Sequence, residues 1–273
     1  YLTLDIGGSS IKYALLNETG EFIEKGSTIA PHQSIEQFVE VIGELYDKYA
    51  EQIVGMAISM PGAIDPQKGF AYTGGAYKYI KDMEIVKILQ ERCPLPITIG
   101  NDAKCAANAE VGFGCLKDVD DAAVIILGTG IGGCIVRDGK VHIGKHFSSG
   151  EFSWMRTNGE DGNNPECVWA ATNGIPGLLK AVQESVGTKE QYNGKEIFEM
   201  ANSGDKKVLA GLDKFCNRLA VQIYNLQALF DPEKIAIGGG ISAQPLLLEL
   251  VEKHIEESPC YVCCLGFHAL SRS

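Results

Sequence analysis

The chain is short of positive charge. Its 273 residues carry 24 Lys and Arg against 35 Asp and Glu, a formal net charge of −11. Nucleic acid needs a basic footprint, so DNA and RNA are not expected as partners. Long apolar runs are missing as well. The longest near the centre, Ala122 to Leu127, is far too short to span a bilayer, so no membrane partner is expected. No apolar leader is visible: the chain opens Tyr1-Leu-Thr-Leu-Asp5, with a carboxylate where a signal peptide would be apolar. A cytoplasmic location is expected. There is no even cysteine framework. The nine cysteines, at 93, 105, 115, 134, 167, 216, 260, 263 and 264, lie mostly in apolar runs and read as reduced buried thiols. One close group, Cys260-Tyr-Val-Cys263-Cys264 with His268 nearby, could supply zinc ligands, but the preferred reading is a strand and loop near the terminus. Tryptophan is scarce too. Its only two copies, Trp154 and Trp169, fall in one polar segment, Ser148 to Gly174, that looks built to bind something.

What is present is a core. Hydrophobic residues make up 45% of the chain, enough for one large domain or two modest ones. Strands are expected at Leu2 to Ile6, Ile11 to Asn17, Phe22 to Ser27, Ile53 to Ser59 and Pro96 to Ile99. Ser34 is a plausible N-cap for a helix carrying Ile35, Phe38, Val39, Ile42 and Leu45 at helical spacing. Further helices are expected at Asp82 to Glu91 and Asn101 to Val111. A second cycle follows: a strand at Asp121 to Leu127, then a hairpin of Ile131 to Arg137 and Lys140 to Ile143 about Asp138-Gly139. Val168 to Val186 is mostly helical with a break near Gly174-Ile-Pro176; Glu196 to Asn202 and Asp213 to Phe230 are helices. Lys234 to Ile237 is a buried strand, and a last helix covers about Ala243 to Glu257.

One internal repeat organises the chain. Gly7 to Phe22 resembles Gly128 to Val141: each is a strand, a glycine-and-hydroxyl turn, a strand and a tight turn, with Ser9 opposite Thr129. The period of about 120 residues is too long for a solenoid and implies two similar half-molecules facing each other across a cleft.

Four loops could carry chemistry. In Asp5 to Lys12, "DIGGSSIK", Gly7, Gly8 and Ser9 would let backbone N–H groups nest around phosphate oxygens, and Lys12 adds positive charge. Asp5 would be repelled by phosphate directly but can act through Mg²⁺ or water. A plain hairpin turn is the competing reading. Leu127 to Gly133, "LGTGIGG", fits G-x-G-x-x-G by spacing, but a hairpin follows where a dinucleotide fold needs a helix, so that fold is rejected. No Walker A pattern exists. In "IGGGIS", Ile237 to Ser242, the glycines would let a flat ring or ribose lie on the backbone. In "GNDAKC", Asn101 or Asp102 opens a helix. Capping explains one of them but not both. A carboxylate at the positive end of a helix suits a base that accepts a hydroxyl proton during phosphoryl transfer.

Taken together these residues resemble the ROK family of sugar kinases and regulators, within the hexokinase–actin superfamily. The resemblance rests on D-x-G-G-S/T-x-x-K at Asp5 to Lys12, S-x-P-G at Ser59 to Gly62 and N-D-A at Asn101 to Ala103. It continues through G-T-G-I-G-G at Gly128 to Gly133, G-E-F at Gly150 to Phe152 and G-G-G-I at Gly238 to Ile241. It implies an α/β fold of two RNase-H-like (actin-like ATPase) domains with an interdomain cleft: 1–113 for sugar and phosphate, 114–273 for nucleotide and the sugar loop. It implies an ATP-dependent kinase acting on the 6-hydroxyl of a hexose or β-glucoside, with Asp102 as catalytic base. Gly62, Asn101, Glu151 and Trp154 would meet the sugar. Gly7, Gly8, Ser9, Lys12, Thr129 and Gly130 would hold ATP phosphates, Gly239 and Gly240 the adenosine, and Asp5 the Mg²⁺. Relatives are often dimers, which leaves a homodimer open.

The chain also departs from the pattern. Most members follow the glutamate motif with a histidine and three cysteines that hold zinc; here the histidine position is Trp154, only Cys167 remains, and a second sugar-binding glutamate is replaced by Trp169. A lone thiolate makes no tetrahedral site, so no zinc site is expected. The chain resembles the zinc-less branch that includes β-glucoside kinases. Aromatic packing would then hold the loop, and the two tryptophans could stack on a second sugar ring. Gly100 and Lys104 differ from the usual E-N-D-A-N, and Lys104 is expected to face solvent. After Pro259 the usual final helix is not apparent, which puts stability in question. Two other readings are weighed: a sugar-responsive regulator, which would carry an N-terminal helix-turn-helix, and a sugar-binding protein without activity.

Overall fold

A computed structural model describes residues 1–159, 163–190, 192–258 and 270–272. The cysteine group at 260–264 and His268 lie outside the described residues. The chain divides into two compact units, Tyr1–Cys105 with Gly144–Ser148, and Ala106–Ile143 with Ser149–Ser273. The sequence expectation of 1–113 and 114–273 puts the division some residues later in the chain.

The first unit is built on β1 (Leu2–Ile6), β2 (Ser10–Leu16), β3 (Phe22–Ile29), α1 (Ile35–Tyr49) and β4 (Met56–Met60). A small sheet of β5 (Ile64–Asp65), β6 (Phe70–Thr73) and β7 (Lys81–Met83) follows, then α2 (Ile85–Arg92) and β8 (Ile97–Asn101). The main sheet runs β3-β2-β1-β4-β8. Its first three strands are antiparallel and β1, β4 and β8 are parallel. Ser34 caps α1 by accepting from the Gln37 amide at 3.3 Å. Phe38, Ile42, Leu45 and Tyr49 then fall on one buried stripe against the sheet. Each such side chain is worth about 1.5–3 kcal/mol relative to exposure. The expected helix from Asp82 begins instead at Ile85. Lys81 and Met83 pair with β6, and Asp82 takes a left-handed φ of 51°, which no helix can include. The returning segment Gly144–Ser148 is fastened by Phe147, whose ring stacks on Tyr72 at 5.3 Å.

The second unit contains α3 (Asp102–Phe113) from Ala106 onward, β9 (Ala122–Leu127), β10 (Ile131–Arg137) and β11 (Lys140–His142). It continues with α4 (Trp169–Asn173), α5 (Ile175–Val186), α6 (Gly194–Asn202), α7 (Lys206–Phe230), β12 (Lys234–Gly239), α8 (Pro245–Glu256) and β13 (Leu270–Arg272). Its sheet runs β11-β10-β9-β12-β13. This is the order of the first sheet, strand for strand, so the repeat in sequence is a repeat in topology. β9 is buried at nearly every residue, as an apolar run in the middle of a covered sheet must be. α7 begins at Lys206, well before the expected Asp213. Asp205 caps it by accepting from the Lys207 and Val208 amides, and Val208 and Leu212 extend its buried stripe. The break between α4 and α5 falls at Gly174, where a Cβ would lie 2.5 Å from the Thr129 carbonyl oxygen. Among the described residues six cysteines stand outside any disulfide, four of them buried. Among the described residues no helix is long and apolar enough to cross a membrane.

Candidate active site

In the first unit the chemistry collects at the carboxyl ends of three neighbouring parallel strands, where open α/β sheets place their ligands. Asp5 of β1 lies opposite Ser59 of β4, which lies opposite Gly100 of β8; Met60 pairs with Asn101. The Ser59 hydroxyl donates to Asp5 Oδ1 at 3.2 Å. Lys12 is the antiparallel partner of Asp5 on β2, and both are exposed. Asn101 is buried and does two jobs. Its Nδ2 donates to the Gly62 carbonyl at 3.0 Å, and its Oδ1 accepts from the Lys104 amide at 3.2 Å, capping α3. Asp102 is left exposed at the first residue of α3, with Oδ1 accepting from the Ala103 amide at 2.8 Å. Capping therefore accounts for Asn101 and leaves Asp102 available. Gly62 has φ +116°, and a Cβ there would meet the Thr73 carbonyl at 2.0 Å, so only glycine fits.

Three neighbours of this cluster were not anticipated. Tyr77 donates to the Gly7 carbonyl at 2.6 Å, and the His32 ring donates from Nε2 to the Gly8 carbonyl at 2.7 Å. No local signal marks either residue, because both reach the loop from distant segments. The third is Cys105. Burial pushes its thiol up to about 11, the Asp102 and Asp5 charges add to that, and a hydrogen bond with Ser59 opposes it. Its sulfur sits 2.7 Å from where a Cβ on Gly100 would be, so the thiol fills the space of the side chain that residue lacks. Lys104 corrects an expectation. It is only 5% exposed rather than solvent-facing, because α3 turns this residue inward with Ala103 and Ala107.

In the second unit the β9–β10 turn holds Gly128, Thr129 and Gly130, closed by the Gly128 amide donating to the Gly130 carbonyl at 3.1 Å. The Ile175 amide at the start of α5 donates to the Gly128 carbonyl at 2.9 Å, which sets a helix N-terminus against this turn. Gly239 ends β12 opposite Leu127, with Gly240 exposed beyond it. The Thr129–Gly130 turn and the Gly239–Gly240 turn thus lie side by side at the carboxyl ends of two neighbouring parallel strands.

Glu151 is half-buried before a short 3₁₀ turn, Phe152–Trp154. The loop is pinned by backbone: the Trp169 amide donates to the Met155 carbonyl at 2.8 Å and the Thr157 amide to the Cys167 carbonyl at 2.9 Å. Phe152 packs on Trp169 at 5.8 Å, and Trp169 is fully buried. Trp154, in contrast, is 74% exposed. The aromatic packing that holds this loop therefore comes from Trp169 and Phe152 and not from Trp154. Only Trp154 is free to meet a second sugar ring, which corrects the expectation for the pair. Among the described residues no three His, Cys, Asp or Glu side chains gather as a metal centre.

Two sheets of the same strand order, each opening with a glycine turn between its first two strands, define an α/β protein of the RNase-H-like, actin-like ATPase fold. The chain belongs to the ROK family, whose model matches residues 1–264. It is 31% identical to a β-glucoside kinase of Listeria monocytogenes, over 92% of this chain and 86% of that one. Among solved structures it is similar to that of an L. monocytogenes protein provisionally named an N-acetylmannosamine kinase (TM-score 0.85, 30% identity, 93% of this chain and 88% of that one). It is also similar to a ROK family protein of Streptococcus pneumoniae in complex with sucrose (TM-score 0.80, 28% identity, 94% and 86%).

Proposed function

We propose that this protein is an ATP-dependent sugar kinase that phosphorylates the 6-hydroxyl of a hexose or β-glucoside. The observation that carries the reading is Asp102. It is an exposed carboxylate at a helix N-terminus, beside a buried Asn101 that ties it to the Gly62 turn. The named relative that acts on β-glucosides supports the substrate class.

In this reading Asn101, Gly62, Glu151 and Trp154 meet the sugar. Asp102 accepts the proton of the 6-hydroxyl as its oxygen bonds to the γ-phosphorus of ATP and the bond to the leaving ADP breaks. The transition state is loose, so positioning outweighs a strong base. The glycine turns at Gly7–Ser9, with Lys12, and at Thr129–Gly130 receive phosphates through backbone N–H groups, and Gly239 and Gly240 lie against the adenosine. Asp5 is exposed with one oxygen bonded to Ser59, which leaves it oxygen lone pairs for a hydrated Mg²⁺. Mg²⁺ held there would neutralise phosphate charge. A β-linked disaccharide is the favoured substrate, because Trp154 presents an exposed ring three residues after Glu151.

Coupled ADP release over glucose, cellobiose and gentiobiose tests this. Turnover on none of them by a folded, sugar-binding protein would sink the kinase reading. Asp102→Asn should abolish turnover and leave sugar affinity nearly intact; the reverse pattern contradicts the assigned role.

A further inference from the structure

We propose that Tyr77 and His32 are positioning residues that aim two backbone amides of the Gly7–Ser9 loop at a phosphate. The inference rests on the phosphate reading of that loop. A trans peptide holds its C=O and N–H on opposite sides. The Gly7 carbonyl accepts from the Tyr77 hydroxyl, so the Gly8 N–H points away from Tyr77. The Gly8 carbonyl accepts from His32 Nε2–H, so the Ser9 N–H points away from His32. The two rings are stacked on each other at 5.2 Å and 18°, so both carbonyls are drawn to one side. The two amides are thereby turned to the other side together, which is the geometry of an anion nest. Neither amide donates to any described residue. By contrast the Gly7 amide is used on the Ser10 carbonyl, and the Ser9 carbonyl accepts from the Ala30 amide.

The clasp is itself fixed. Tyr77 is fully buried and packs edge-on against Phe38 and Tyr79, at 5.9 and 6.0 Å. The Tyr79 hydroxyl donates to the carbonyl of Pro31, the residue before His32. Burial, then the nearby Asp5 charge, push the Tyr77 phenol up, which keeps its proton in place as a donor. Residues from two remote connections thus set the peptide planes of a loop that is otherwise a plain hairpin turn.

Tyr77→Phe keeps the ring and removes one donor; His32→Phe does the same at an exposed position, and His32→Gln restores a donor. Titration calorimetry of ADP with Mg²⁺, and separately of sugar alone, reads the effect without turnover. Each Phe variant should weaken ADP binding by about 3- to 10-fold, the weight of one hydrogen bond, with more loss in the double variant. Sugar affinity and melting temperature should stay near the parent's, and His32→Gln should bind ADP like the parent. Parental ADP affinity in the folded double variant overturns the inference. Equal loss for sugar and ADP overturns it too, since the effect would not belong to the loop. If His32→Gln is as weak as His32→Phe, the donor role of His32 falls. A parent that binds sugar but no ADP would instead remove the phosphate reading, and this inference with it.

Discussion

The glycines of the candidate site divide into those the fold requires and those it does not, and the division can be tested by adding one methyl group. Gly239 has φ +100°, and a Cβ there would stand 2.2 Å from the Leu127 carbonyl oxygen, inside the β9–β12 pairing. Left-handed backbone costs a side chain about 1–2 kcal/mol and forced overpacking about 1–3 more, so Gly239→Ala should lose roughly 3 kcal/mol. For a unit of this size that lowers the melting temperature by about 6–12 °C. Gly8 and Gly240 are different. A Cβ at either meets nothing within 4 Å, and neither has a positive φ, so the protein gives no reason for glycine. Alanine there should be neutral or stabilise by about 0.4–1 kcal/mol through the unfolded chain. If these positions are open because a nucleotide lies against them, the same methyl should weaken ADP binding by about 10-fold or more, ~1.4 kcal/mol. Gly112, in α3 and also in open space, is the control: Gly112→Ala should stabilise by up to about 1 kcal/mol and leave ADP affinity alone. Thermal melts and ADP calorimetry on the four variants decide it. Gly8→Ala and Gly240→Ala proteins that bind ADP like the parent would refute the reasoning, as would a Gly239→Ala protein that melts with the parent.

The remaining predictions concern the neighbours of the site. The Cys105 thiol is raised from 9.0 to about 11, so at pH 7.5 it should hold about 100-fold less thiolate than an ordinary cysteine; mass-spectrometric iodoacetamide labelling should be slow there and accelerate up to pH of about 11. The same shift makes the folded state the better proton binder, so its contribution to stability is present below pH 9.0 and is lost as pH rises through about 11. Labelling at pH 7.5 as fast as in the denatured chain would contradict it. Trp169→Ala empties a fully buried site and should cost about 3–5 kcal/mol in denaturant melts, whereas Trp154→Ala at 74% exposure should leave stability unchanged and lower turnover on disaccharides more than on glucose.

Much of this was legible because local pattern and tertiary role agree. Ala122–Leu127 is apolar without interruption and becomes the covered central strand; Ser34 followed by spaced apolar residues becomes a capped helix. The sheet of β5, β6 and β7 was not legible. Its strands are two to four residues long, and pairing across the sheet, not propensity, turns Lys81–Met83 from a helix start into a strand. The burial of Lys104 was hidden for a related reason. A lysine two residues into a helix reads as solvent-facing until the packed face is known. Tyr77 and His32 touch the loop from 70 and 24 residues away, and no window along the chain contains both partners.

The two halves use one topology but secure their glycine turns differently. In the first, the carbonyls of Gly7 and Gly8 are drawn back by side-chain donors, Tyr77 and His32. In the second, the Gly128 carbonyl is held by the first amide of α5, and the helix approaches closely because Gly174 has no side chain to strike Thr129. A side-chain clasp can be loosened one hydroxyl at a time, whereas a helix N-terminus cannot be removed without unwinding a turn. Substitution in the first half should therefore grade nucleotide affinity in steps with the fold intact. Gly174→Ala, whose Cβ would lie 2.5 Å from both the Ala170 and Thr129 carbonyl oxygens, should instead lose stability and affinity together. A Gly174→Ala protein with parental melting temperature but weakened ADP binding would show that the second turn, like the first, is set by a separable contact.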